Sequence, residues 1–230
     1  MSRTRVPTKT SRPPLRGRFI TFEGIDGCGK TTQAKLLARR LEHEGHSVLL
    51  TREPGGTPIG KALRRVLLDP HYRAMVPECE VLLFLADRTQ HLAEVIRPAL
   101  ARGDIVICDR FHDATVAYQQ HARRLDFKLL AQWTKKNIHP MPNYTVWLDL
   151  DVRAALQRLL ARGADPSGKP DRSKLTRIEL NTLAFHNRIR DGYRNIAAAD
   201  PKRVERIDAA QTIEAMHGDI WARLTRRYRL

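Results

Sequence analysis

Phe19-Ile20-Thr21-Phe22-Glu23-Gly24-Ile25-Asp26-Gly27-Cys28-Gly29-Lys30-Thr31-Thr32-Gln33 joins an apolar run to a helical one through a glycine-rich turn. Residues 24 to 31 follow the pattern G-x-x-x-x-G-K-[ST] in a strand, loop, helix setting. Glycines there let backbone N–H groups curl round phosphate oxygens, and the helix N-terminus adds a favourable dipole. In such a loop Lys30 reaches the β/γ-phosphates and Thr31 the magnesium. The nucleotide-binding candidates are therefore Gly24, Asp26, Gly27, Cys28, Gly29, Lys30, Thr31 and Thr32. A helix N-terminus can acidify a thiol, but nothing else in the chain suggests thiol chemistry, and Cys28 reads as a small residue tolerated in a tight loop. The loop specifies a nucleoside triphosphate and leaves the reaction open.

From Phe19 onward, short apolar β-branched runs alternate with segments of helical period, the pattern of a parallel α/β sheet wrapped by helices on both faces. Phe19 to Glu23, Val48 to Thr51, Ile105 to Cys108, Thr145 to Leu150 and Val204 to Ile207 predict five strands. Helices are expected over Lys30 to Glu44, Pro58 to Leu68, Pro77 to Arg102, Phe127 to Asn137, Val152 to Arg162, Lys174 to Ala199 and Thr212 to Arg227. Gly, Pro, Asp and Ser crowd Gly163 to Arg172, which reads as a loop or lid. A length of 230 residues fits one domain, residues 19–230, with the lid over about 161–177 and a tail over 1–18.

The tail carries Arg3, Arg5, Lys9, Arg12, Arg16 and Arg18, no acid, and Pro7, Pro13 and Pro14, which is a disordered composition. Its prolines and scarce apolar residues argue against the amphipathic helix of an organelle-targeting signal. Lys and Arg number 41 against 25 Asp and Glu, a net charge of +16 that suggests polyanionic partners: nucleic acid, anionic membrane or phosphorylated small molecules. Hydrophobic residues make up 42%, enough for a soluble core, and no run approaches the roughly 18 apolar residues of a membrane span. Cys28, Cys79 and Cys108 are odd in number and widely spaced, without a C-x-x-C pair, so a reducing cytoplasm is the expectation.

The acceptor has to be read elsewhere. Thr51-Arg52-Glu53-Pro54-Gly55-Gly56-Thr57 forces a loop at the carboxyl end of the second strand, and Asp109-Arg110-Phe111 ends the third. Ligands of open α/β sheets bind at that edge. A carboxylate there can hold magnesium through water, and an arginine can clamp a phosphate bidentately. Either pair alone would suit a structural salt bridge equally well; their shared edge beside the phosphate loop favours a site. Phe84 and Arg88, four apart on the helix from Pro77, share one face and can stack on and hydrogen-bond a nucleobase, although Phe84 by itself would more often be core.

Taken with the first stretch, Thr51 to Thr57, Leu83-Phe84-Leu85-Ala86-Asp87-Arg88 and Asp109-Arg110-Phe111 leading to Ala117-Tyr118-Gln119 resemble the bacterial-type thymidylate kinase family, in order, from Phe19 to about Leu224. That resemblance implies a P-loop NTPase fold, transfer of the γ-phosphoryl of ATP to thymidine 5′-monophosphate with Mg2+, a role in dTTP synthesis, and a homodimer packed through helices including the one from Pro77. It implies that Asp26 accepts from the sugar 3′-hydroxyl, Arg110 holds the acceptor phosphate with help from Arg52, and Asp109 joins Thr31 at the magnesium. Phe84 would stack on thymine, Arg88 would donate to its carbonyl oxygen, Tyr118 would stand where a 2′-hydroxyl would be, and Gln119 would line the base pocket.

Two departures stand out. The family's Asp-Arg-aromatic block usually has a serine where this chain has Ala114, followed by Thr115. The lid spacing is also altered, by an insertion within Ser167 to Ser173, so Arg162, Arg172 and Arg177 are all candidates for the transferring phosphoryl, alongside Lys30, Asp109 and Arg110 as catalytic residues. Gly27 stands where some relatives carry an arginine, which leaves the lid to supply the charge. The alternatives are a kinase of another deoxynucleotide or a nucleoside, a nucleic-acid-binding P-loop protein, and a non-catalytic member of the family. Against nucleic acid, aromatics are 6% of the chain and form no stripe interleaved with basic residues. The charge also divides: residues 1 to 18 carry +6, 153 to 177 carry +5, and 221 to 230 carry +4, leaving +1 for the remainder. Only the middle cluster lies on the lid, so the charge points mainly to a nucleotide, with weak nonspecific polyanion binding left to the tail.

Overall fold

The computed structural model describes residues 17–126, 134, 137–164, 169 and 171–228. The tail over residues 1–16 and nearly all of the helix expected over Phe127 to Asn137 lie outside them. Five parallel strands form one sheet in the order β2-β3-β1-β4-β5: β1 Phe19–Glu23, β2 Val48–Arg52, β3 Ile105–Asp109, β4 Tyr144–Asp149 and β5 Val204–Asp208. Central β1 is buried at every residue, which is why it reads as a continuous apolar run rather than an alternating one. Alternate residues feed two cores. Ile20, Phe22, Ile105 and Ile107 pack with Leu37, Leu41, Ile220 and Leu224, whereas Phe19, Val106 and Cys108 pack with Leu92, Ile96 and Ala99.

The α-helices bounded within the described residues are α1 Lys30–His43, α2 Pro58–Leu68, α3 Pro77–His91, α4 Arg97–Arg102, α5 His112–Thr115, α6 Val152–Arg162, α7 Leu183–Ala199 and α8 Ile213–Tyr228. The helix expected over Pro77 to Arg102 runs without a break, with a π-helical turn, Leu92–Ile96, between α3 and α4. Pro98 explains the turn, because a proline has no N–H to donate and its ring crowds the carbonyl four residues back. The segment His112 to Ala122, which is not among the expected helices, is helical and continues from α5 into a second π-helical turn, Val116–Ala122.

The helix expected from Lys174 begins nine residues later, at Leu183. Thr176 and Glu179 form a capping box: the Glu179 carboxylate accepts from Thr176 N at 2.8 Å and the Thr176 hydroxyl from Glu179 N at 3.3 Å. The turn they open is closed by Asn181, whose side-chain amide donates to the carbonyls of Arg177 and Ile178 that a continuing helix would need. Thr182 then caps α7 by accepting from Phe185 N. Among the described residues no helix is long and apolar enough to cross a membrane.

Candidate active site

The chain leaves β1 toward β2 at one edge and leaves β3 toward β4 on the other side, so a crevice opens at the carboxyl ends of the strands. It holds a cleft of about 530 Å³ lined by the phosphate loop, by Arg52, Asp109 and Arg110, and by Phe84, Arg88, Tyr118 and Gln119. The sequence-predicted acceptor and donor groups thus share one cavity.

Gly24, Gly27 and Gly29 all have positive φ. At Gly27 closeness matters as much as conformation, because a Cβ there would stand 2.4 Å from the carbonyl oxygen of Ala155. Glycine therefore lets α6 rest directly on the loop, which brings Arg158 and Arg162 to the cleft wall. Lys30 is buried and donates from Nζ to the carbonyl of Ile25 at 2.7 Å. Cys28 is fully enclosed, and burial pushes its thiol up, so it is a packed neutral group. The Thr31 hydroxyl donates to Asp109 Oδ2. A hydroxyl and a carboxylate converging beside a phosphate loop suit magnesium, which takes one or two protein oxygens and fills its shell with phosphate and water. Among the described residues no cluster of three or more His, Cys, Asp or Glu could form an all-protein metal cage.

Arg110 sits at the centre. Its Nη2 donates to Asp26 Oδ1 at 2.7 Å and to the Tyr118 hydroxyl at 2.8 Å, and its Nη1 to the Gly24 carbonyl at 3.0 Å. Tyr118 donates to the other Asp26 oxygen at 3.0 Å. Burial opposes ionisation of Asp26, but the Arg110 and Lys30 charges outweigh it and hold the carboxyl well below the usual range. Arg52 is exposed and Arg64 lines the same cleft, donating to the Pro54 carbonyl at 2.9 Å. Burial, then the charges of Arg52 and Arg110, pull the Arg64 guanidinium down from its ordinary value. Crowded guanidiniums of this kind mark a place built for an anion.

Arg88, which also lines the cleft, is almost wholly buried. Its Nε donates to Glu53 at 2.8 Å, Nη1 to the Thr115 hydroxyl at 2.7 Å and Nη2 to the Phe111 carbonyl at 2.8 Å. Phe84 is half-buried one turn earlier and faces the cleft. The Gln119 amide donates to Glu80 at 2.9 Å, which leaves its carbonyl oxygen as the available group. Ala114 lines the cleft where a serine was expected, and the neighbouring Thr115 hydroxyl is spent on Arg88.

The lid arginines separate. Arg162 lines the cleft and pairs with Glu179 at 2.8 Å. Arg172 is exposed and lines a different groove, with Leu156, Leu160 and Leu175. Arg177 is buried: it pairs with Glu80 at 2.7 Å, and its Nε and backbone N donate to the carbonyls of Leu67 and Leu68 at the end of α2. The structure brings neither Arg172 nor Arg177 to the cleft. Sequence reasoning missed Arg158, Arg64, Glu53, Glu80, Glu23 and Tyr193. Arg158 was detectable, four residues before Arg162 on one helix face; Arg64 holds the loop ten residues before it, and Glu53, Glu80, Glu23 and Tyr193 act through contacts that cross the fold.

A family model described as thymidylate kinase matches residues 22–220. A thymidylate kinase of Geotalea uraniireducens (strain Rf4) is 44% identical over 212 residues, covering 92% of this chain and 98% of that protein. One of Citrifermentans bemidjiense is 48% identical over 195 residues, covering 84% and 85%. The crystal structure of thymidylate kinase from Ehrlichia chaffeensis superposes with a TM-score of 0.71 at 34% identity, covering 90% of this chain and 98% of that one.

Proposed function

The chain belongs to the thymidylate kinase family, and we propose that it performs that family's reaction, transferring the γ-phosphoryl of ATP to dTMP to give dTDP and ADP for dTTP synthesis in the cytoplasm. The observation that carries this reading is the single cleft in which a phosphate loop, the Asp26–Arg110–Tyr118 cluster and the Phe84–Arg88 pair all meet.

Phosphoryl transfer asks for positioning and charge stabilisation rather than a covalent nucleophile. The phosphate loop and Lys30 hold the donor's phosphates. Arg110, with Arg52 and Arg64, holds the acceptor phosphate, and Asp26 takes the 3′-hydroxyl. Phe84 stacks on thymine, Arg88 donates to its carbonyl, and the Gln119 oxygen accepts from a base N–H. Tyr118, fixed by Asp26 and Arg110, occupies the space of a 2′-hydroxyl. Thr31 and Asp109 would hold magnesium, which would supply charge neutralisation for the donor's phosphates. Arg162, assisted by Arg158, supplies the positive charge that Gly27 does not.

Purified enzyme offered ATP, magnesium and each deoxynucleoside monophosphate is expected to prefer dTMP; absence of that preference would overturn the reading. A homodimer is supported by exposed apolar side chains on one helical region, Ile59, Val66, Val76 at 55% and Leu82 at 59% exposure, and sizing against concentration tests it. Deleting residues 1–16 is expected to preserve turnover and to remove weak, salt-sensitive polyanion binding.

A further inference from the structure

Glu23 ends β1 in the interior and is not part of the cleft wall. Its Oε1 accepts from the backbone N–H of Phe111 at 2.7 Å and its Oε2 from the Tyr193 hydroxyl at 2.7 Å. Tyr193, buried on α7, accepts in turn from Arg110 Nη1 at 3.2 Å. One carboxylate therefore grips Arg110 twice: through the backbone of the next residue, and through the guanidinium by way of a tyrosine. Arg110 has φ 73°, in the left-handed region that non-glycine residues adopt at a cost and keep only where surroundings enforce it.

We propose that Glu23 and Tyr193 are positioning residues that fix the Arg110 guanidinium in register for the acceptor phosphate. This rests on the reading of Arg110 as the acceptor-phosphate residue. Neither residue lines the cleft. The Tyr193 hydroxyl relays between a carboxylate and a guanidinium, and its removal frees Nη1 from one of its two acceptors, Gly24 O being the other.

The test uses Tyr193→Phe, Glu23→Gln and the double variant in the full chain. Tyr193→Phe is expected to raise KM for dTMP about tenfold, the scale of one hydrogen bond to a charged group, while KM for ATP stays within about twofold. In Glu23→Gln the amide oxygen still accepts from Phe111 and the amide N–H donates to Tyr193, so the rise is smaller and measurable even if Tyr193→Phe folds poorly. The double variant is expected to be no worse than Tyr193→Phe, because both changes cut the same path. Unchanged dTMP KM in both single variants, additive effects, or equal rises in both KM values would each overturn the proposal. Crystal structures separate it from the kinase reading: if the parent does not phosphorylate dTMP that reading falls, whereas a displaced Arg110 guanidinium in the variants still upholds the positioning role and an unmoved one refutes it.

Discussion

Arg88 and Glu53 form a buried ion pair, Nε to Oε2 at 2.8 Å with each side chain 2% exposed. The second Glu53 oxygen hydrogen-bonds His91 Nδ1 at 2.9 Å, and His91 Nε2 hydrogen-bonds the Thr51 hydroxyl at 2.7 Å. Removing one member of such a pair leaves an uncompensated interior charge, which costs about 3 to 5 kcal/mol. Glu53→Ala is therefore expected to lower the urea-unfolding free energy by that amount. It should also raise KM for dTMP more than KM for ATP, since Arg88 loses the partner that aims it.

Arg162 and Arg177 should fail in opposite ways. The Arg162 side chain is 66% exposed, and its ion pair with Glu179 contributes little to stability. Arg162→Met is expected to leave the melting temperature nearly unchanged and to lower kcat by about 10²- to 10³-fold, the scale of losing one transition-state charge contact. Arg177→Met removes a carbonyl contact at the end of α2 and a partner of Glu80. Glu80 keeps Arg123, so the expected stability loss is about 1 to 3 kcal/mol, with the catalytic effect small beside it. Denaturation and steady-state kinetics on the two variants distinguish the roles.

That contrast shows what the sequence could carry. The strands and the phosphate loop were legible because each signal is local: β1 is an unbroken apolar run, and the loop's residues are adjacent. Phe84 and Arg88 were legible because helical spacing alone puts them on one face. Arg177 could not be told from Arg162 and Arg172 in the sequence, because its place depends on the carbonyls of residues 67 and 68 and on Glu80, about a hundred residues away. The late start of α7 was hidden for a different reason. Thr176, Glu179 and Asn181 are compatible with a helix by propensity, and only their side-chain bonds to the local backbone show that the chain turns there first.

Gly56 is held by closeness rather than by dihedral freedom. A Cβ at this position would lie 2.4 Å from Nε2 of His91, whose ring is completely buried between Thr51 and Glu53. Gly56→Ala must push the imidazole off one partner or shift the Arg52-to-Thr57 loop, and overpacking of this kind costs about 1 to 3 kcal/mol. The loop carries Arg52 and Glu53, so KM for dTMP should rise with the loss of stability. A variant with parental stability and parental KM would show that the loop yields freely.

Asp87 gives the pH dependence a definite sign. Its Oδ1 accepts from Gly55 N at 2.9 Å while burial, and then the nearby Glu53 charge, push its carboxyl up to about 6. The folded state thus keeps a proton that the unfolded chain releases near 3.8. Between about pH 4 and pH 6 the native state binds more protons, so stability falls as pH rises through that window and levels off above it. The loss attributable to this group is on the order of 2 to 3 kcal/mol. Asp87→Asn keeps an acceptor for Gly55 and removes the titration. Urea unfolding at intervals from pH 4 to pH 8 should therefore show the variant gaining on the parent up to about pH 6 and running parallel beyond it. A constant difference across the whole range would mean that Asp87 titrates at its ordinary value.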